Sequence, residues 1–169
     1  MEQEVHAATY LSPLGKLTIA CTQDAIIGLW IEGQKYFAST VATPSVFEDT
    51  PLLRRAHAWL DAYFAGKAPS PDVLPLQPQG SPFRQAVWQK LCRIPYGQTV
   101  SYGQLALEIA SGAGRKTMSA QAIGGAVGHN PISIIIPCHR VLGAQGQLTG
   151  YAGGVEKKLW LLRHEGVEL

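Results

Sequence analysis

Four prolines, Pro69, Pro71, Pro75 and Pro78, fall in the short stretch from Lys67 to Gly80. Each fixes its own φ, removes a backbone donor and restricts the residue before it, so neither a helix nor a central strand can run through. A chain of 169 residues broken in this way folds as two small halves rather than around one continuous core. The stretch reads as a semi-rigid linker. It separates an N-terminal domain, residues 1–78, from a C-terminal domain, residues 79–169, whose first helix opens at Ser81.

The first half has the pattern of a small sheet. Val5 to Leu11, Lys16 to Thr22 and Ile26 to Ile31 read as strands, the first two joined by the turn Ser12-Pro13-Leu14-Gly15. Pro51 to Ala65 reads as a helix, with Thr50 as cap, Pro51 at the first position and Gly66 just past the end. Leu53, Ala56, Leu60 and Phe64 lie at helical spacing and are expected to cover the sheet. Cys21 falls inside a strand and is assigned a structural role. The fold class is α+β, beginning with a three-stranded antiparallel sheet and one helix.

The second half is mostly helical. Ser81 caps and Pro82 starts a helix whose stripe is Phe83, Val87 and Leu91 with Trp88, and Cys92 is expected to be buried beside it. Ile94-Pro95-Tyr96-Gly97 turns the chain. Ser101 and Gln104 then form a capping box with Tyr102 in the first helical turn, and Leu105, Leu107 and Ile109 supply apolar contacts until Ser111-Gly112-Ala113-Gly114. After Arg115-Lys116-Thr117, Met118 to Val127 reads as a helix of small residues. Glycine weakens a helix interior by ~1 kcal/mol relative to alanine, so the adjacent Gly124 and Gly125 need a reason, such as close approach of another backbone. Helix, glycine-containing turn, slim second helix is the pattern of a helix-turn-helix. Most helix pairs bind no nucleic acid, so this pattern leaves DNA binding open. The last helix, Val155 to His164, is expected to turn Val155, Leu159 and Leu162 inward. Glu165 at its end opposes the helix dipole, and His139 is an available partner.

Charge and cysteine content narrow the partners. Up to Gly80 there are five Lys/Arg against eight Asp/Glu; from Ser81 onward there are nine against four, so the halves carry −3 and +5. A basic second half fits a polyanionic partner, and equally an ordinary uneven surface. No apolar run approaches the ~20 residues of a membrane span, and Met1-Glu2-Gln3-Glu4 has the wrong charge for a signal peptide. A soluble cytoplasmic protein is expected. Cys21, Cys92 and Cys138 show no CxxC spacing and no clustering with histidine, so neither a disulfide framework nor a metal site is expected.

The chemistry concentrates in Asn130-Pro131-Ile132-Ser133-Ile134-Ile135-Ile136-Pro137-Cys138-His139-Arg140-Val141. Ile132 to Ile136 is short, apolar and β-branched, which reads as a buried strand or extended segment. It delivers a thiol beside an imidazole and a guanidinium. A free cysteine has a pKa of roughly 8.5 and cationic neighbours lower it, which makes Cys138 a candidate thiolate nucleophile. Cysteine is also among the most often buried residues, so a structural role stays open on residue type alone.

Taken together, these residues resemble the O6-alkylguanine-DNA alkyltransferase family, also called methylated-DNA–protein-cysteine methyltransferases. Pro137-Cys138-His139-Arg140-Val141 matches the family's active-site motif. Asn130-Pro131 precedes it; Tyr151-Ala152-Gly153-Gly154, Trp160-Leu161-Leu162 and His164-Glu165-Gly166 follow; Ser101-Tyr102-Gly103-Gln104-Leu105 and Gly124-Gly125-Ala126 fit upstream. The resemblance covers most of Ser81 to Gly166. It implies an RNase H-like N-terminal domain and a winged-helix-like C-terminal domain with a helix-turn-helix.

What the resemblance implies about function is direct reversal of DNA damage. Cys138 would attack the alkyl carbon on O6 of a guanine, with O4 of a thymine as a second target, and keep the alkyl group as a thioether, so each monomer acts once without a cofactor. His139 would act through a water as the base, Glu165 would orient His139, and Tyr102 would give a proton or hydrogen bond to the departing guanine. The carbonyls of Cys138 and Val141 would accept from the base's exocyclic amine, while the Ala152 N–H or the Tyr151 region would contact O6. Asn130 would tie the helix-turn-helix to the active-site segment, and Val127 and Arg140 belong to the expected binding surface. The partner is double-stranded DNA carrying O6-alkylguanine, its damaged base flipped out, with the helix bearing Gly124 and Gly125 in the minor groove.

The sequence departs from the family pattern at Gln121, where many members have an arginine that fills the gap left by the flipped base. The loop Ser111 to Thr117 is longer than usual, and the zinc ligands of some relatives are missing. The alternative is a non-catalytic lesion-sensing DNA-binding protein, a class in which the reactive cysteine is replaced. A cysteine hydrolase using Cys138, His139 and Glu165 would instead turn over.

Overall fold

The computed structural model describes residues 4–41, 46–47, 49–116 and 118–169. They form two compact units. One comprises the chain up to Gln79 together with Pro131–Ile135; the other comprises Gly80–Asn130 and Ile136–Leu169.

In the first unit, β1 (His6–Ser12), β2 (Gly15–Cys21) and β3 (Ile26–Ile31) make the expected antiparallel sheet. A two-residue strand, β4 (Val46–Phe47), adds parallel to β1, giving the order β3-β2-β1-β4. Thr50 caps α1 (Pro51–Phe64), its hydroxyl accepting from Leu53 N at 3.2 Å. The buried face of α1 is Leu52, Leu53, Ala56, Trp59, Leu60 and Tyr63. Phe64, expected inward, is only half-buried; the register carries Trp59 and Tyr63 inward, their rings stacked at 5.7 Å.

Every residue of β3 is buried. Val5, Ala20, Ile27 and Trp30 form a cluster joined by Ala38 and Val41. The outer edge of β3 is also occupied. Ile26 N donates to Pro75 O and Gln77 N to Ile26 O, each at 2.8 Å; Leu29 N donates to Pro131 O and Ser133 N to Leu29 O, each at 2.9 Å. The proline stretch is therefore no free spacer: part of it, with Pro131–Ser133, closes an edge that would otherwise present unpaired backbone.

These bonds also correct the reading of Ile132–Ile136 as extended. Only Ile132 makes a bridge, to Leu29, and the following residues turn. Ile134 has φ 71, a left-handed conformation uncommon for a β-branched residue. The run is buried as expected, but as a folded-back excursion and not a strand.

The second unit contains α2 (Pro82–Leu91), β5 (Val100–Ser101), α3 (Tyr102–Gly112), α4 (Ala120–Gly128), β6 (Val141–Leu142, parallel to β5) and α5 (Val155–His164). Side-chain caps fix three helix starts: Ser81 accepts from Arg84 N, Ser101 from Gln104 N and Ser119 from Ala122 N. The cap at Ser119 starts α4 two residues later than the expected Met118. Gly114, at φ 71, ends α3 by letting Arg115 N reach back to Ala110 O at 2.8 Å. Thr117, in the expected inter-helix loop, lies outside the described residues.

Two inward faces differ from expectation. Leu107 is 64% exposed, because α3 buries Leu105, Ala106, Ile109 and Ala110, and residues two apart face different sides of a helix. In α5 the buried residues are Lys158, Leu161 and Leu162, while Val155 is exposed and Leu159 half-buried. Cys92, expected in the core, is also half-buried. Trp88 Nε1 donates to Ala126 O at 2.8 Å. Asn130 N, the normal helical partner of that carbonyl, bonds Val127 O instead, so the indole satisfies an orphaned acceptor and pins the end of α4 to α2. Among the described residues no helix is long and apolar enough to cross a membrane.

Candidate active site

Cys138, His139 and Arg140 form a single 3-10 turn directly after Pro137, and all three are buried. The tight turn, not an extended segment, separates the thiol from the imidazole. Asn130 holds the turn from behind: its Nδ2 donates to Ile136 O at 2.9 Å, and its side chain hydrogen-bonds the Cys138 sulfur.

On one side of the turn lies a charged cluster. His139 Nε2 is 2.5 Å from Glu165 Oε2, with neither side chain exposed. Arg140 donates from Nε to Glu165 Oε1 at 2.8 Å, from Nη2 to Oε2 at 3.2 Å and from Nη1 to Ile94 O at 2.6 Å. Gly97 N adds a bond to Glu165 Oε1 at 3.0 Å. Burial opposes the charge on Glu165, but His139 and Arg140 together hold its carboxyl down at about 2. The carboxylate unfavourable to the helix dipole is thus satisfied by specific partners.

Burial, reinforced by the charges of Arg140 and Lys158, pushes the His139 pKa below its ordinary value against the pull of Glu165. The imidazole is neutral at pH 7. A neutral ring donating from Nε2 to Glu165 keeps its lone pair on Nδ1. Nδ1 is buried and has no hydrogen-bond partner among the described residues, so the ring presents a base.

The thiol departs from expectation. Burial raises the Cys138 pKa, and Asn130 and Lys158 only partly offset it. The resting group is a thiol, and a base is needed to make it a nucleophile. Tyr102 faces the same region. Burial, then Cys138, raises its pKa, while its hydroxyl donates to Thr149 O at 3.4 Å. The phenol is therefore protonated at pH 7. Gly150 leaves room for it: at φ 70, an added Cβ would stand 3.1 Å from the tyrosine oxygen.

The remaining expected residues are distributed as follows. Tyr151 is buried and Ala152 half-buried after Gly150. Val141 lies in β6, its carbonyl already accepting from Lys158 Nζ at 2.5 Å with one lone pair left. Val127 is buried in α4. Gln121 is exposed on α4, and Gly124 and Gly125 are half-buried with open space where a Cβ would be. Among the described residues, outside the helix's own backbone, nothing stands within 4 Å of a Cβ at either glycine, so the close approach of another backbone that the sequence led one to expect is not made within the chain. Arg140 corrects its expected place in the binding surface: its guanidinium is turned inward onto Glu165 and Ile94, 5.7 Å from the Tyr96 ring.

Sequence reasoning missed Lys158, which is fully buried. Next to Lys157 it reads as surface charge. The signal available was the stripe Lys158, Leu161, Leu162 and Glu165, spaced i, i+3, i+4, i+7 on one helix face.

Comparison with known proteins matches residues 82–167 to the DNA-binding domain of 6-O-methylguanine DNA methyltransferase, and residues 5–78 to that family's ribonuclease-like domain. The chain belongs to this family. The methylated-DNA–protein-cysteine methyltransferase of Shigella flexneri is 51% identical over 163 residues, covering 92% of each chain. That of Mycobacterium bovis is 45% identical over 163 residues, covering 95% of this chain and 92% of the relative. A structure of Mycobacterium tuberculosis OGT in complex with DNA superposes with a TM-score of 0.81 at 41% identity, covering 95% of this chain and 92% of that one. A second structure, the M. tuberculosis O6-methylguanine methyltransferase, gives 0.78 at 43% identity with the same coverage. The protein is an enzyme of DNA repair by alkyl transfer, with DNA as its partner.

Proposed function

We propose that Cys138 is the alkyl acceptor, that the substrate is O6-alkylguanine flipped out of duplex DNA, and that one monomer repairs one lesion. The observation that carries this reading is the buried His139 between Glu165 on Nε2 and an unpartnered Nδ1, one residue from Cys138. A water bridging Nδ1 and the sulfur passes the thiol proton to the imidazole. The thiolate attacks the alkyl carbon; the S–C bond forms as the C–O6 bond breaks, and the electron pair leaves on the guanine. Tyr102 donates to the departing base, and the proton lost by the thiol returns through the site, so the net product is guanine plus a thioether. No step hydrolyses a thioether, so the protein is consumed.

DNA docks on α4, where the open space over Gly124 and Gly125 admits a sugar–phosphate backbone closely. The side-chain carriers of this chemistry all fall within one unit, which supports action as a monomer. The free thiols suit the reducing cytoplasm.

Incubation with duplex DNA containing O6-methylguanine, followed by mass spectrometry of the digested protein, tests the reading. One methyl on Cys138, in at most one equivalent, is expected. Tight binding with no adduct would establish a lesion sensor, and product beyond one equivalent a turning-over hydrolase. Replacing O6-methylguanine by O4-methylthymine reads the breadth of the substrate.

A further inference from the structure

Lys158 presents a buried cation in need of explanation. Its Nζ donates to Val141 O at 2.5 Å and Thr149 O at 2.7 Å and stands 5.7 Å from the centre of the Tyr102 ring. Both hydrogen-bond partners are neutral carbonyls, and among the described residues no carboxylate pairs with it. A buried ammonium without an anion is costly. The other charged or titratable groups around it do not supply one. On the 3-10 turn His139 is neutral and Arg140 is neutralised by Glu165 from the end of α5; on α3 Tyr102 is protonated. Among the described residues, the acidic group that interacts electrostatically with it is the Cys138 thiol.

We infer that Lys158 is a positioning residue whose ammonium is the standing counter-charge for the Cys138 thiolate, held in place by its clamp on the Val141 and Thr149 carbonyls. This deepens the reading of Cys138 as acceptor. The same clamp joins β6, just after the nucleophile, to the loop that carries Tyr151 and Ala152, so charge and pocket wall are set by one side chain. Burial lowers the Lys158 pKa to about 8, with Cys138 opposing the shift. The ammonium is present at pH 7 and is lost as pH rises through that value. Thiol and amine then share one proton, and the pair titrates as a unit.

The test uses iodoacetamide, a neutral electrophile, and reads carboxamidomethylation of the Cys138 peptide against pH, with the Cys21 peptide as internal reference. In the wild-type chain Cys138 reactivity should rise in two steps, the first near pH 8, where the ammonium–thiolate form is populated. Lys158→Gln keeps a donor for the carbonyls without the charge. It should show a single rise at higher pH and roughly tenfold slower alkylation at pH 7, the equivalent of about one pKa unit. Lys158→Ala should be equally slow, and ethylammonium, but not ethanol, should restore it. If Lys158→Gln keeps the two-step profile, or if ethanol rescues Lys158→Ala as well as ethylammonium does, the lysine is only a structural clamp and the inference fails. Because this probe involves no DNA, a lysine-dependent profile in a protein that accepts no methyl group would sink the proposed function while leaving this inference intact.

Discussion

Asn130 Nδ2 donates to Ile136 O across five residues that leave the second unit and pack with the first. The bond closes the neck of an excursion whose backbone also edges β3, and the same side chain reaches the Cys138 sulfur. One amide thus fixes where the Cys138 thiol emerges. Asn130→Ala leaves a buried carbonyl without its donor. It should cost about 1–3 kcal/mol, read as a lower urea midpoint, and slow Cys138 methylation more than it weakens DNA binding. An unchanged midpoint would remove Asn130 from this role.

Glu165 links pH to stability. Its folded pKa of about 2 lies below the ordinary 4.5, so its contribution is fully present above pH 4.5 and is lost as pH falls towards 2. Burial is outweighed by the hydrogen bonds from His139 and Arg140, and the effect is of the order of 3 kcal/mol. Urea midpoints should fall steeply across that acid window in the wild-type chain. Glu165→Gln should be less stable at pH 7, because the Arg140 charge is left buried without its partner, and should have a flatter acid dependence. Equal slopes for the two proteins would contradict this account.

With His139 as the proposed base, its titration sets the pH range of the reaction. Burial keeps the imidazole pKa below 6.5 and raises that of the thiol. Single-turnover repair at saturating DNA should therefore be lost on the acid side with a midpoint below 6.5. An acid limb centred at or above 6.5 would show that a different group is the base. His139→Gln should lower the plateau itself.

The glycines of α4 trade stability for access. A Cβ at Gly125 meets nothing within 4 Å, so Gly125→Ala should raise stability by about 0.5–1 kcal/mol through helix propensity. It should weaken DNA binding, since the added methyl stands on the proposed docking face. Calorimetry and a fluorescence anisotropy titration read the two effects separately. Tighter DNA binding in the variant would rule out α4 as the docking helix.

Gln121 occupies an exposed position on α4 with neither charge nor a planar guanidinium. Gln121→Arg should raise repair rate and affinity several-fold and steepen the dependence of log affinity on log salt by about one unit. Identical rates and slopes would mean that the gap left by the base is filled by another group, with Arg115 and Lys116 the basic candidates nearby in sequence.

The amino-acid order alone determined most elements, because their signals are local. The strands follow from short runs bounded by turn residues, and the helix starts from Thr50, Ser81 and Ser101, each of which makes the predicted cap. The Pro137-Cys138-His139-Arg140 order with Glu165 downstream also pointed to side chains that the fold brings together, His139 and Arg140 both bonding Glu165. Only the tertiary structure decided what those groups are. Ile132–Ile136 turns back because its hydrogen-bonding partner is the edge of β3, far away in sequence. Arg140 faces inward because Glu165 is there to receive it, and Cys138 rests as a thiol because burial outweighs its cationic neighbour. Lys158 shows the difference most clearly: two adjacent lysines are equivalent in a sequence, and the register of α5 buries one of them against the Val141 and Thr149 carbonyls.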